Sequence, residues 1–165
     1  MLDLLLLRYQ CGCRVFDGHH LPYPDDYFDL AYCSHVIEHV EFPRQIIREL
    51  KRVSKYQFYE IPIDFSFYVD KKVDHFLSYG HINIFTPALF RFLLHSEGHR
   101  VIKDKCGFLN DNVVSRYFKN NIFKLLLFKI KTLILSSIPY LKGIKPSFYC
   151  VLVNKERKVK ILSEL

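Results

Sequence analysis

A short polar segment that follows an apolar run carries the side chains most suited to chemistry. The run from Phe28 to Cys33 opens into Ser34 and His35, with further ionisable residues up to His39. Imidazole changes its charge near neutral pH, so His35 could act as a general base. The alternative is a loop tip that contacts no ligand.

Glu38 and His39 allow a second kind of chemistry at the same segment. On a helical turn, positions 35, 38 and 39 fall on one face. Two imidazoles and a carboxylate there could bind a metal ion, with His81 or His75 as a fourth ligand. We instead expect Glu38 and His39 to be hydrogen-bonded at a helix start without metal. The alternative metal set is His35, Glu38, His39 and His81.

An acidic turn precedes this segment. The short apolar run Arg14–Phe16 ends at Asp17 and Gly18. A parallel strand that stops at an acid and a glycine presents a carboxylate at its carboxyl end, where open α/β sheets bind ligands. Two prolines and two aspartates over positions 22–26 then predict a rigid surface crossing to the next strand.

The polar segment must be positioned by the elements around it, and an amphipathic helix is predicted directly after it. Pro43 suits the first helical turn, because its missing N–H has no partner there. Ile46, Ile47, Leu50 and Val53 recur at helical spacing and predict a face that covers the sheet. The basic residues Arg44, Arg48, Lys51 and Arg52 are expected on the outer face.

Further elements are predicted along the second half of the chain. A strand is expected over Tyr56–Ile61 and a loop over Asp64–Tyr79. Thr86-Pro87 has the chemistry of a helix N-terminus, and Gly98 ends that helix before a strand over Val101–Lys103.

The order of these segments resembles the class I S-adenosylmethionine (SAM)-dependent methyltransferases, and most of all the group that includes the quinone-biosynthesis O-methyltransferases. The first block of the resemblance consists of Asp17 and residues 21–25, 28–30, 35–40 and 49–53. The second block consists of residues 80–87 with Phe90, Leu93, Leu94 and Gly98.

The resemblance implies a fold class, a cofactor and site residues. The fold is an α/β, Rossmann-like class I methyltransferase three-layer sandwich with strand order 3-2-1-4-5-7-6, and the cofactor is SAM. Asp17, with Gly18 beside it, matches the acid that accepts a hydrogen bond from the adenine amine. Ser34 and His35 match the position that lines the transfer site, so both are expected to bind the cofactor and His35 to be catalytic.

One part of the family pattern is missing from the sequence. No GxGxG occurs, and the chain has only six glycines. We therefore expect an N-terminally truncated domain that lacks the first two strands and the glycine-rich loop, with Met1–Gln10 as the helix before strand 3. Without those neighbours, residues 13–33 would leave a sheet edge exposed, which favours self-association.

We treat the chain as a single partial methyltransferase domain, 1–165. It divides into a family-like core, 1–109, an apolar and basic insertion, 110–146, and a final edge strand, 147–155. Lysines interrupt the apolar residues of the insertion, so no run is long enough to span a membrane. Residues 121–143 could form an interfacial helix with peripheral membrane contact. The alternative is a helix packed on the sheet.

The composition of the chain bears on the compartment in which it works and on the class of partner that it binds. Five cysteines without a CxxC pair argue against a disulfide framework and predict a reducing, cytoplasmic compartment. Met1–Leu7 does not have the pattern of a signal peptide. The net charge of +7 is compatible with an acidic partner, but no basic groove or module is recognisable, so nucleic acid is disfavoured.

Two functions remain open from the sequence. The first is a SAM-dependent methyltransferase that acts on oxygen of a small-molecule, glycan or lipid-linked acceptor. The second is a non-catalytic methyltransferase-like interaction module, which the missing glycine loop favours for the isolated chain. In either case, residues that catalyse methyl transfer are difficult to identify from spacing, because the protein chiefly aligns the acceptor with the cofactor.

Overall fold

Four strands of the chain form one mixed sheet in the computed structural model, which describes residues 16–64, 73–107, 122–137 and 147–155. The expected helix over Met1–Gln10 and all of the expected strand Arg14–Phe16 except Phe16 lie outside the described residues. The strands are β1 (Phe28–Ser34), β2 (Ser54–Pro62), β3 (His99–Gly107) and β4 (Phe148–Lys155).

The strand order is β1-β2-β4-β3. β1 pairs with β2 in parallel, with Ser34 opposite Glu60, and β4 pairs antiparallel with both β2 and β3. This is the 4-5-7-6 half of the expected order 3-2-1-4-5-7-6, so the Rossmann-like α/β fold class is confirmed. Within the described residues β1 has one neighbour and forms an edge of the sheet.

The described residues contain four helices and a 3-10 turn over Ile37–His39. The helices are α1 (Pro43–Val53), α2 (Val73–Tyr79), α3 (Pro87–Ser96) and α4 (Ile122–Ser137). Pro43 occupies the first turn of α1 as expected, and the Thr86 side chain caps α3 by accepting a hydrogen bond from Leu89 N. No helix in the described ranges is long and apolar enough to cross a membrane.

The core lies between one face of the sheet and the inner faces of α1 and α3. Alternate residues of β2 and β4 point to this face, because side chains alternate along a strand. Its buried members are Ile46, Ile47, Phe90, Leu93, Leu94, Tyr59, Ile61, Tyr149, Val151 and Val153. On the opposite face Leu30, Tyr32 and Tyr56 are exposed in the described part of the chain.

Three expectations are corrected. β4 is antiparallel to both of its neighbours and is not the final edge strand expected over 147–155, because it is inserted between β2 and β3. The expected loop over Asp64–Tyr79 contains α2. The strand predicted over Val101–Lys103 extends over the whole of β3, because its antiparallel pairing with β4 continues beyond the apolar residues on both sides.

Candidate functional site

His35 follows β1 directly, in a backbone conformation that non-glycine residues rarely adopt. Its φ is 51°, in the left-handed region, which costs about 1 kcal/mol or more. Its backbone N–H donates to Glu60 O at 2.9 Å. The imidazole lies between two carboxylates, with Nδ1 3.3 Å from Glu38 Oε1 and Nε2 3.2 Å from Glu60 Oε1.

Glu60 joins the two strand ends at this site. Ser34 Oγ donates to Glu60 Oε1 at 3.3 Å, and Cys150 Sγ donates to Oε2 at 3.5 Å. The structure therefore brings the predicted residues Ser34 and His35 together around one carboxylate. Glu60 is not among the residues predicted for the site, although a charged residue near the end of a largely buried strand is a recognisable signal.

The surroundings of His35 limit what its imidazole can do. A carboxylate only accepts hydrogen bonds, whereas a neutral imidazole has one donor and one acceptor nitrogen. A neutral His35 can therefore present an N–H to only one of the two carboxylates beside it, whereas a protonated His35 presents an N–H to each.

Glu38 is the most unusual polar group of the site. It is only 1% exposed, and neither of its carboxylate oxygens accepts a hydrogen bond from the described residues. A buried carboxylate without such partners is costly unless a positive group faces it. The nearest candidates are His35 Nδ1 and His39 Nε2, at 3.3 and 3.8 Å from Glu38 Oε1.

His39 and His81 pack edge to face, with ring centroids 4.7 Å apart. His39 Nδ1 lies 3.0 Å from Gly80 O, and His81 Nδ1 lies 2.5 Å from Asp64 Oδ2. Where these oxygens accept, each Nδ1 carries the proton and each Nε2 keeps its lone pair. Glu38, His39 and His81 each offer one ligand atom, all within 4.8 Å of one another.

Three of the four alternative metal ligands therefore meet, and His35 lies against Glu38 and Glu60 instead. The expected single helical turn is not observed, because His35 is left-handed and the following turn is a 3-10 helix. The side chain of His75 lies outside the described residues.

Residues 80–83 bring His81 to the 3-10 turn. The backbone N–H groups of Ile82 and Asn83 both donate to Glu38 O at 3.0 Å. Asn83 Nδ2 donates to Val40 O at 2.6 Å. Gly80 has a φ of 70°, and a Cβ there would lie 3.6 Å from His39 Nδ1. The glycine, the histidine and the asparagine of this segment thus each have a local role.

Asp17 and Gly18 form a turn before β1. Asp17 Oδ1 accepts hydrogen bonds from the backbone N–H groups of His19 and His20, at 2.8 and 2.9 Å, and these bonds lower the pKa of the exposed carboxyl. Gly18 has a φ of 86°, which favours glycine. The contacts described for Asp17 all lie within its own turn.

The loop that follows Asp17 is held to α1 by a pair of charged residues. Glu49 accepts a hydrogen bond from Leu21 N at 2.8 Å. Arg52 donates to Leu21 O and Tyr23 O and pairs with Glu49 and Asp25, and these carboxylates raise the pKa of its guanidinium. Arg52 lies off the apolar face of α1 as expected, but its side chain is only 22% exposed because it holds this loop.

An apolar groove is lined by residues that follow His39 and His81 in the sequence. It has a volume of about 460 Å³ and lies between the N-terminal ends of α1 and α3. Residues 41–44, which follow His39 in the sequence, form one wall, and residues from Ile84 onward, which follow His81, form the other. The lining residues include Phe42, Arg44, Phe85, Leu89 and Phe92.

Comparison with known proteins gives one match to a protein family. Residues 3–57 match the sequence profile described as "Methyltransferase domain". A search of curated proteins found no match. Several solved structures share the fold at identities too low to indicate more than the fold.

Three such structures illustrate the range of sequence identity and coverage. A candidate sarcosine dimethylglycine methyltransferase from Galdieria sulphuraria is 16% identical, with a TM-score of 0.54 over 87% of this chain and 58% of that one. A candidate methyltransferase from Bacillus halodurans is 14% identical, with a TM-score of 0.53 over 87% and 76%. A chain from the complex of the Haloferax volcanii Trm112 methyltransferase activator with a candidate methyltransferase is 10% identical, with a TM-score of 0.58 over 87% and 61%.

The chain spans little more than half the length of the first of these structures. The profile match covers the acidic turn, β1 and α1, which are the elements that position Asp17, Ser34 and His35. The fold is that of the class I SAM-dependent methyltransferases, and residues 3–57 match the model of a methyltransferase family, whose cofactor is S-adenosyl-L-methionine.

Proposed function

We propose that this domain transfers the methyl group of SAM to an oxygen of its acceptor, at the carboxyl ends of β1 and β2. The observation that carries the proposal is the concentration of His35, Glu38, His39, Glu60 and His81 at this end of a parallel strand pair. Open α/β sheets bind their ligands at this position. Small molecules, glycans and lipid-linked hydroxyl compounds are the acceptor classes.

The residues present fit one side of the cofactor. Asp17 offers an exposed carboxylate for the adenine amine, and Gly18 leaves open space beside it, since a Cβ added to this glycine would meet no atom within 4 Å. Ser34 and His35 would line the sulfonium side. When bound, SAM supplies an activated methyl group for an in-line displacement. No glycine-rich loop for its methionine part occurs in the sequence.

His35 would receive the proton of the acceptor hydroxyl. The neutral imidazole would keep its Nδ1 proton toward the buried Glu38, and Nε2 would accept the proton of the acceptor hydroxyl once that hydroxyl takes the place of Glu60 beside it. After the transfer both nitrogens carry a proton, and the two carboxylates beside the ring stabilise the resulting cation as an acid stabilises the histidine of a catalytic triad. The apolar groove offers a surface for the rest of the acceptor.

A metal ion would be a second way to activate the acceptor. From the sequence we expected no metal, but the burial of Glu38 without a hydrogen-bond partner among the described residues supports a metal site. Glu38, His39 and His81 would hold the ion, with two imidazole nitrogens and one carboxylate oxygen. This donor set suits zinc and other first-row transition metals better than magnesium. An ion there would polarise the acceptor oxygen and lower the pKa of its hydroxyl group.

Calorimetric titration of the full chain with SAM and with its demethylated product tests the proposal. Saturable binding that is weakened by Asp17→Ala supports the cofactor site. His35→Ala should abolish turnover but weaken SAM binding far less than Asp17→Ala, because the proposed role of its imidazole is proton transfer. The absence of binding in a sample shown to be folded by circular dichroism would refute the enzyme proposal for this chain.

The metal site has its own measurement. Elemental analysis of protein purified without an affinity tag should find a stoichiometric ion, which Glu38→Gln removes and Glu41→Gln retains. Glu41 is a matched control, because it is an exposed glutamate three residues further along. A folded wild-type protein without an ion, even after incubation with zinc, would exclude this mode of activation.

A non-catalytic interaction module is the second candidate function. It is favoured by the exposed side chains of Leu30, Tyr32 and Tyr56 on the open face of the sheet, and by the edge position of β1 within the described part of the chain. Edge strands and apolar sheet faces promote association. A folded chain that self-associates and binds no SAM would favour this candidate. In both cases we propose a cytoplasmic setting, with Cys33, Cys106 and Cys150 as free thiols.

A further inference from the structure

α4 carries a stripe of exposed apolar side chains that the proposed methyl transfer does not use. Six large apolar residues of this helix are between 45 and 69% exposed. With 3.6 residues per turn, they fall within an arc of about 120°. The six residues are Phe123, Leu126, Leu127, Ile130, Leu133 and Ile134.

Lysines flank this stripe on both sides. On the same helical wheel Lys124 and Lys131 lie beyond one border of the arc, and Lys129 lies beyond the other. A helix that rests at a membrane interface has this pattern, because the apolar stripe enters the acyl boundary while the lysines remain at the level of the headgroups.

The charge around α4 is of one sign. Residues 112–155 contain eight of the 24 lysines and arginines of the chain and none of its 17 aspartates and glutamates. The rest of the chain therefore has a formal net charge of −1, so this segment accounts for the whole positive charge. Basic segments of this kind are attracted to anionic lipid surfaces.

We propose that α4 lies in the surface of an anionic lipid bilayer and holds the domain there. Sixteen residues of helix reach about 24 Å, less than the roughly 30 Å needed to span the hydrocarbon core, so α4 would lie on the membrane. Association of two copies through the stripe would bring lysines against lysines, with no acidic residue on α4 to pair with them. Neither the stripe on α4 nor the charge of residues 112–155 takes part in the proposed methyl transfer.

Flotation of the full chain with lipid vesicles tests this proposal. The chain should bind vesicles of phosphatidylcholine and phosphatidylserine, bind phosphatidylcholine alone far more weakly, and be released as salt is raised. Ile130→Ser should weaken binding roughly three- to tenfold, because it removes one apolar side chain from the lipid. Ile102→Ser is the matched control and should bind normally, since Ile102 on β3 is 46% exposed and Ile130 is 45% exposed.

A second pair of variants tests the charge. Lys131→Glu on α4 should weaken binding to anionic vesicles by roughly fivefold or more, whereas Lys103→Glu on β3 should have little effect. Equal effects of Ile130→Ser and Ile102→Ser in variants with normal circular dichroism would overturn the proposal. An absence of vesicle binding would also overturn the proposal. Light scattering would then show whether the stripe mediates dimerisation, and an RNA probe would show whether it binds RNA.

Discussion

Acidification should destabilise this domain through one buried imidazole. His99 at the start of β3 is fully buried, its Nδ1 lies 3.2 Å from Leu94 O, and its Nε2 has no hydrogen-bond partner among the described residues. Burial, and then the charge of Lys51, lowers the pKa of His99 to about 4. In the unfolded chain this imidazole has a pKa near 6.5.

The sign and size of the effect follow from these two pKa values. Between about pH 6.5 and 4 the unfolded chain binds a proton at His99 that the folded chain does not bind. The stabilisation is therefore complete above about pH 6.5 and is lost as the pH falls toward 4. At pH 5 the loss from this residue is roughly 2 kcal/mol in the free energy of unfolding.

Urea unfolding near pH 7.5 and near pH 5, followed by circular dichroism, measures this contribution. His99→Gln cannot titrate, so it should lose about 2 kcal/mol less than wild type on acidification, whatever its stability at neutral pH. His95→Gln replaces an exposed histidine of α3 and should follow wild type. If His99→Gln and wild type lost the same free energy, His99 would titrate alike in both states and the reasoning would be refuted.

Three further predictions concern the packing that positions the site. Leu94→Ala should lower the free energy of unfolding by about 2–5 kcal/mol, because Leu94 is fully buried, and the exposed Leu89→Ala should change it by less than about 0.5 kcal/mol. Thr86→Ala should cost about 1 kcal/mol through loss of the α3 cap, and Thr86→Ser should restore most of it. Arg52→Ala should increase amide exchange at Leu21, which Arg52 and Glu49 hold against α1, whereas Arg100→Ala should not.

Sequence alone determined the elements whose signals are local. Pro43 and Thr86-Pro87 marked the starts of α1 and α3, and the strand expected over 147–155 is observed as β4. Helical and strand periodicities are properties of neighbouring residues, so they can be read without knowing the fold. The order of motifs also predicted the family and the half of the sheet that contains Ser34 and His35.

The tertiary structure alone decided which distant residues meet. His81 reaches Glu38 and His39 because residues 82 and 83 hydrogen-bond to the 3-10 turn, and Glu60 faces His35 because β1 and β2 pair in one register. β4 enters between β2 and β3, as the strand order implied by the family resemblance has it, but the local alternation of its residues says nothing about which strands it will join. Such pairings depend on the packing of the whole sheet and on the burial of each face, which no short window of sequence contains.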